Sequence, residues 1–167
     1  MSTHAATQAP DVRALVYVNA FAPDEGQTVF PLAGADSALA ADPTTVFDFV
    51  PYPGAPAGDV DLYLKHDTFL GSFATGVPRR QAELLYAAQR PIAFSAGSQA
   101  SGKPAFDTIP SWYLLGTEDR IITPAAQLAM AENAGSAITR VKAGHLSLVS
   151  HPGAVTRLIE QAARATR

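Results

Sequence analysis

The sequence predicts an α/β fold, in which a few parallel strands are flanked by helices. Two observations carry this prediction. Residues 12–20 (VRALVYVNA) form a nearly continuous apolar run with β-branched residues at its centre, which is typical of a strand buried on both faces of a parallel sheet. The last third of the chain alternates strand, helix, strand and helix with short connections, and this order favours parallel strands with right-handed crossovers. With 167 residues, a single domain over 1–167 is expected.

The first half of the chain divides into a short start, one strand and a long insertion. The first ten residues are polar and alanine-rich and suit the frayed end of a helix. From residue 24 to about residue 58, prolines and glycines interrupt the chain repeatedly, which indicates short helices and turns rather than part of a sheet. Residues 62–73 and 78–89 are predicted to be helices, since Pro78 suits a helix start, and they complete a long insertion over about 24–90. Residues 97–104 are predicted to form a flexible loop.

The last third contains two predicted strands and two predicted helices. The strands cover 112–115 and 138–142. The helix over 124–133 can end at Gly135, and the helix over 152–165 places Val155, Leu158, Ile159 and Ala162 on one apolar face. Loops therefore follow each of the two strands, at the edge where α/β proteins place working residues.

Composition excludes several classes of protein. Hydrophobic residues make up 47% of the chain and charged residues 16%, as in ordinary globular proteins. The net charge of −3 gives no basic face for nucleic acid, and no apolar run reaches the roughly 20 residues of a membrane span. The N-terminus lacks the pattern of a signal peptide, so a cytoplasmic location is the default expectation. Since the chain has no cysteine, it has neither disulfides nor a cysteine nucleophile.

Asp119 and His145 are the strongest candidates for chemistry. Each follows a predicted strand, and neighbouring parallel strands lie about 4.8 Å apart, so their side chains can meet. An Asp–His pair is the orienting acid and the base of a nucleophilic triad. Plainer interpretations remain open, in which Asp119 is only a loop acid that caps the helix near Pro124, and His145 is a satisfied polar residue or a cap for residues 146–150. Glu118 is a competing acid, and the absence of any His or Cys cluster disfavours a metal site.

Other polar residues are weaker candidates. His66 and Asp67 sit together on a predicted helix and are interpreted as a solvated face. The loop at 97–102 (GSQASG) contains serines, but neither it nor any other stretch of the sequence fits G-x-S-x-G, the nucleophile motif of many serine hydrolases.

Two segments carry a family resemblance. Residues 115–124 (LGTEDRIITP) and 143–152 (AGHLSLVSHP) resemble the acid loop and the histidine loop of α/β-hydrolases. The resemblance is closest to small esterases of the plant methylesterase and hydroxynitrile lyase branch and their bacterial relatives. Residues 12–23 look like the strand after the nucleophile helix, and residues 24–90 are similar to the helical cap of that branch, so the resemblance spans essentially the whole chain.

The resemblance implies a function and a substrate class. Asp119 matches the triad acid and His145 the triad base of a carboxylic-ester hydrolase that needs no cofactor. The cap would provide a pocket for a small apolar ester-like substrate, although its apolar residues could equally form the core of the cap. These residues are Phe30, Phe47, Phe49, Tyr52, Leu62, Tyr63 and Phe69.

The resemblance also implies that the site is incomplete. In the family, the nucleophile elbow and the oxyanion segment both precede the strand that here begins near Val12. The sequence is therefore expected to form the C-terminal portion of an α/β-hydrolase fold, whose first strand offers an unpaired apolar edge. We expect the chain to be unstable, to self-associate, or to pair with a separate N-terminal fragment. The alternative function is an inactive remnant that binds a small apolar ligand or a partner chain. A hydroxynitrile lyase reaction is disfavoured because it needs the same missing serine.

Overall fold

A computed structural model describes residues 2–167, which contain six strands in two sheets. The strands are β1 (Leu15–Val18), β2 (Phe47–Val50), β3 (Asp61–Leu64), β4 (Ile92–Ala93), β5 (Ser111–Gly116) and β6 (Ala137–Val141). The first sheet is parallel and has the order β1–β5–β6. The second is antiparallel and has the order β2–β3–β4. The predicted α/β class is confirmed.

Helices surround both sheets. They are α1 (Ser2–Ala5), α2 (Pro43–Val46), α3 (His66–Thr68), α4 (Arg79–Ala87), α5 (Phe94–Ser98), α6 (Pro124–Asn133), α7 (Ser147–Ser150) and α8 (Pro152–Ala165). A π-helical turn, Phe69–Phe73, continues α3, and short 3₁₀ turns occupy Ala6–Gln8, Phe30–Ala33, Ala38–Ala40 and Ala105–Asp107. No helix among the described residues has the length and apolar character to cross a membrane.

The parallel sheet is covered on both faces. Its central strand, β5, points side chains alternately to each face, and each set packs in a separate apolar cluster. All six residues of β5 are buried. Trp112 and Leu114 pack against Leu158 and Ala162 of α8. Alternate residues of the strand lie in a second cluster with residues of α6 and of the loop before it, namely Tyr113, Leu115, Ile121, Ile122, Met130 and Ala131. Burial on both faces agrees with the continuous apolar runs that predicted β1 and β5.

Boundaries in the last third follow the sequence signals closely. Helices α6 and α8 occupy the predicted residues 124–133 and 152–165. Pro124 stands at the first position of α6, and the Thr123 hydroxyl accepts a hydrogen bond from Ala126 N at 3.3 Å, which is the side-chain capping that fixes a helix start.

The region between 24 and 90 differs from the prediction in two ways. It does contribute to a sheet, since β2 and β3 pair from Phe47 with Leu64 to Val50 with Asp61. The predicted helix over 62–73 is wrong in its first part, because Asp61–Leu64 is a strand and the helix begins at His66. The apolar residues of β3 pair with apolar residues of β2, Leu62 with Phe49 and Leu64 with Phe47. Their spacing along the sequence therefore reflects cross-strand packing rather than a helical face.

The predicted loop over 97–104 is also partly wrong, since α5 continues to Ser98. The close approach of Phe30 explains why a glycine stands in this helix. A Cβ on Gly97 would lie 3.1 Å from the Phe30 Cδ2 atom and closer still to two other atoms of that ring. The aromatic rings of Phe30 and Phe94 stack beside it at 5.9 Å.

Candidate active site

Asp119 lies in the turn after β5 and is 3% exposed. Its Oδ1 atom accepts hydrogen bonds from Ile121 N at 2.8 Å and Ile122 N at 3.0 Å. Its Oδ2 atom lies 2.8 Å from Gln127 Nε2, 3.0 Å from Asn19 Nδ2 and 2.9 Å from His145 Nδ1. An ionised carboxylate only accepts hydrogen bonds, so this set of donors suits the charged form.

His145 lies in the loop after β6 and turns one ring nitrogen toward Asp119. Because the carboxylate accepts, this contact requires a proton on Nδ1, so in the neutral ring Nε2 keeps its lone pair. The side chain is 16% exposed, and Nε2 makes no hydrogen bond to any residue from 2 to 167. The ring also packs against Phe73, with 4.8 Å between ring centres. One ring nitrogen of His145 is thus oriented by the carboxylate, and the other has no partner among the described residues.

Sequence reasoning missed Asn19, which follows β1 and is 3% exposed. Its amide nitrogen donates to Asp119 and to Gly144 O at 3.3 Å, and its amide oxygen accepts from the Ser147 hydroxyl. Its φ of 46° lies in the left-handed region, which asparagine tolerates better than most residues. An asparagine at the end of an apolar strand is the signal that could have identified it.

Gln127, on α6, was also missed, although it is fully buried. Its Nε2 donates to Asp119 and to Ile122 O at 2.7 Å, while its Oε1 accepts from Gly116 N at 3.2 Å. Buried polar groups need partners, and here one amide satisfies three groups of the acid turn. A glutamine amid the apolar positions of a helix is a weak sequence signal that alone names no partner.

The capping interpretations of Asp119 and His145 are not what the structure shows. Thr123, not Asp119, caps α6, and α7 has no side-chain cap from His145. Glu118 is exposed and lies 3.7 Å from the Lys142 ammonium. Among residues 2–167, no group of His, Cys, Asp and Glu side chains is placed to hold a metal ion.

His66 and Asp67 lie away from this pair, on the cap. Their side chains are well exposed, and His66 Nε2 lies 2.9 Å from Glu83 Oε2 on α4. Burial is slight, so the interpretation as a solvated face fits, with the addition of a contact between two helices.

An apolar cavity of about 360 Å³ lies between the small antiparallel sheet and the helical segments that follow it. Of the predicted pocket residues, Phe47, Leu62 and Phe69 line it, whereas Phe30, Phe49, Tyr52 and Tyr63 do not. Phe73 and Leu146 connect it to His145, the first through its ring contact and the second as the next residue in the chain. The other lining residues are Leu64, Leu85, Ala88, Gln89, Arg90 and Ile92.

Comparison with known families identifies the chain. A model of the alpha/beta hydrolase family matches residues 1–158, nearly the whole sequence. The chain belongs to the alpha/beta hydrolase family. No curated protein matches it significantly.

Solved structures place this alpha/beta hydrolase near several esterases. Polyneuridine aldehyde esterase superimposes with a TM-score of 0.73 at 18% identity, over 93% of this chain and 64% of that one. A methylesterase from Arabidopsis gives a TM-score of 0.68 at 14% identity, over 92% and 59%. A pyrethroid hydrolase from Sphingobium faniae gives 0.64 at 18% identity, over 95% and 64%. The TM-scores show a shared fold, and at identities this low the fold is all that the comparison shows. This chain spans somewhat less than two thirds of each neighbour.

Proposed function

We propose that this alpha/beta hydrolase chain carries the acid and the base of a carboxylic-ester hydrolase site. One observation carries the proposal, which is the 2.9 Å contact of His145 Nδ1 with the buried Asp119 carboxylate while Nε2 stays free. The family supports hydrolysis as the class of reaction. Two of the structural neighbours are esterases by name, which supports esters as the class of substrate.

Each residue has a defined task in this proposal. His145 Nε2 takes the proton from an attacking hydroxyl, and the Asp119 carboxylate stabilises the imidazolium that forms. The imidazolium then gives this proton to the departing alcohol, so that the same nitrogen acts first as base and then as acid. The serine and the oxyanion-binding donors come from outside residues 1–167 in this proposal, because no G-x-S-x-G occurs within them.

The apolar cavity supports a substrate with a small hydrocarbon group. A volume of about 360 Å³ falls in the range of ligand pockets, and its walls are mainly aliphatic and aromatic. Each methylene that enters such a cavity contributes up to about 0.8 kcal/mol. We therefore expect KM to fall as the acyl chain of a test ester is lengthened from acetate to hexanoate.

Hydrolysis of p-nitrophenyl acetate by the chain tests the proposal. We expect a slow rate with no rapid burst of p-nitrophenol, since nothing in the chain is proposed to be acylated. His145→Ala is expected to remove the protein-dependent part of this rate. His151→Ala is the matched control, because His151 is exposed and its side chain is hydrogen-bonded only to Ser150 among the described residues, and it should leave the rate unchanged.

The cavity also favours a second candidate, a catalytically inactive remnant that binds a small apolar ligand. The same assay separates the two. With no serine of its own, the chain would use His145 to activate water in this assay. A rate that is absent, or equal in the wild type and His145→Ala, would therefore overturn the proposal that the pair acts as acid and base in this chain, and would favour the remnant. The remnant should still bind an apolar fluorescent probe, with equal affinity in both proteins.

A further inference from the structure

We infer that Asn19 is a positioning residue for the Asp119–His145 pair, an inference that rests on the proposed function and deepens it. The side chain lies where the three parallel strands end. It follows β1 directly, contacts the acid in the turn after β5, and contacts the loop after β6 on both sides of His145.

The contacts of Asn19 divide between the two loops. Its Nδ2 atom donates to Asp119 Oδ2 at 3.0 Å and to Gly144 O at 3.3 Å. Its Oδ1 atom accepts from the hydroxyl of Ser147, which is fully buried. Gly144 and Ser147 flank His145 closely in sequence, so one amide fixes the acid and the loop of the base relative to each other.

The local backbone is built around this amide. Asn19 adopts a φ of 46°, a conformation that most side chains disfavour and asparagine tolerates. Gly116 makes room for it, since a Cβ there would collide with Asn19 Nδ2 and lie 2.8 Å from Ala143 O. Unusual backbone geometry that persists in a buried site points to a requirement for that side chain.

The chemistry favours a neutral donor at this place. Asp119 Oδ2 must bond the imidazole and still keep its negative charge for the imidazolium. The amides of Asn19 and Gln127 fill the other directions around this oxygen without neutralising it. The remaining direction is taken by His145 Nδ1, which sets the orientation of the ring and of its free nitrogen.

Hydrogen exchange of the His145 Nδ1 proton, followed by NMR on the full chain, tests this role without any ester substrate. Asn19→Gly removes the side chain and tolerates the positive φ. We expect the Nδ1 proton to exchange roughly tenfold faster or more, as for the loss of a hydrogen bond to a charged group. The backbone amide of Leu114 at the centre of β5 should keep its exchange rate, which separates local positioning from general destabilisation.

Two further variants complete the test. Asn133→Gly is the matched control, since the Asn133 amide also donates to a carboxylate, Asp24 Oδ2 at 3.2 Å, but on the surface. It should leave the His145 proton unchanged. Ser147→Ala removes the anchor of the Asn19 oxygen and should speed exchange by a smaller factor.

Equal exchange in wild type, Asn19→Gly and Ser147→Ala would overturn the inference. So would a parallel increase at Leu114 in both variants, since that indicates a merely structural role. Should Asn19→Gly fail to fold, Ser147→Ala alone decides the matter by the same comparison. The result is independent of the ester assay, because the dyad can be well positioned in a chain that hydrolyses nothing.

Discussion

At the scale of single residues, the Asp119 carboxylate depends on five donors that converge from three parts of the chain. Two are backbone amides of its own turn, two are side-chain amides and one is the imidazole. Because these donors are buried or largely buried around the carboxylate, the loss of one acceptor position on Asp119 leaves one of them without a hydrogen-bond partner.

Asp119→Asn tests this dependence. The new amide group must point hydrogens at one of the existing donors, so we expect the free energy of unfolding to fall by about 1–3 kcal/mol. Urea denaturation followed by Trp112 fluorescence measures it. Asp11→Asn is the control, since Asp11 is exposed, and it should change little. Equal stability of both variants and the wild type would contradict the network described for Asp119.

The sequence predicts two residues of this network, Asp119 and His145, but not the two amide side chains that bond to the carboxylate. Asp119 and His145 follow strands whose carboxyl ends meet at one edge, so their proximity follows from the alternation of strands and helices. Asn19 and Gln127 gain their roles only from tertiary contacts across 100 and 8 residues. No local pattern specifies which carboxylate a buried amide will bond.

At the scale of elements, a glycine in the loop of His145, Gly144, allows this loop to pack closely against the backbone at Thr75. A Cβ on Gly144 would lie 2.6 Å from Thr75 O and would collide with the Thr75 hydroxyl. Thr75 follows the π-helical turn that contains Phe73, whose ring contacts His145. The segment that contains Phe73 and Thr75 therefore contacts the loop of His145 through both its backbone and an aromatic ring.

Gly144→Ala should separate these two elements. We expect a loss of about 1–3 kcal/mol in unfolding free energy from overpacking against backbone, together with a changed chemical shift of His145. Gly153→Ala is the matched control, because its only near neighbour is the end of Arg157 at 3.5 Å and it lies within α8. That change should be neutral or stabilise by about 0.4–1 kcal/mol. Similar destabilisation by both would contradict the close contact at Thr75.

A second contact joins α3 to α4 within the cap. The pKa of His66 is raised from 6.5, mainly by its hydrogen bond to Glu83 and further by Asp67. The pKa of Glu83 is lowered from 4.5, first by His66 and then by Arg79. The rings of His66 and Tyr86 also lie nearly perpendicular to each other, with 4.9 Å between their centres.

The pH dependence of this contact follows from both directions. The contribution of His66 to stability is complete below pH 6.5 and is lost as pH rises through its raised pKa. The contribution of Glu83 to stability is present above pH 4.5 and is lost as pH falls through its lowered pKa. His66→Gln should therefore reduce hydrogen-exchange protection of α4 more at about pH 5.5 than at about pH 8.5. His151→Gln should have no such effect. A His66→Gln effect that is equal at the two pH values would contradict the charged contact.

Element prediction succeeded where one period dominates and failed where two elements share an apolar run. Helix α6 begins with a clear cap, and three residues of the apolar face predicted for α8, Val155, Leu158 and Ala162, pack against the sheet, whereas Ile159 is 50% exposed. In residues 62–73, a strand and a helix follow each other within a few positions, so their apolar residues appeared to be one helical pattern. The strand β2 lies between prolines, at Pro43 and Pro51, which concealed it.

At the scale of the whole molecule, β1 is the outer strand of the parallel sheet. Leu15 N and Asn19 N bond to Pro110 O and Leu114 O on the side of β5. By strand geometry, the backbone groups of Val16 and Val18 point to the open side. An apolar groove of about 380 Å³ lies alongside, and Ala5, Ala6, Ala9, Val12 and Ala14 are among its lining residues.

We propose that a second copy of this chain covers the open edge. The strand LVYV carries no charge, and an antiparallel pairing of β1 with itself is self-complementary about a two-fold axis. Sedimentation velocity over a range of concentrations should show dimers or larger species that dissociate on dilution. Val16→Pro removes an N–H on the open side, where proline is tolerated, and should shift the protein to monomer.

A monomer at every concentration would contradict this proposal and favour a strand donated by a different polypeptide. The sequence predicted the exposed edge only through the family resemblance, since composition and periodicity do not state how many strands a sheet has. The pairing of β5 with β6, in contrast, follows from the short connection through α6 between two consecutive parallel strands.

The tautomer of His145 is the most direct measurement of the proposed acid–base pair. In ¹⁵N NMR of the neutral imidazole, we predict that Nδ1 carries the proton and Nε2 has the shift of an unprotonated ring nitrogen. Asp119→Asn should abolish this preference, whereas Asp11→Asn should preserve it. A proton on Nε2 in the wild-type chain would contradict the assignment of Asp119 as orienting acid and of His145 as base.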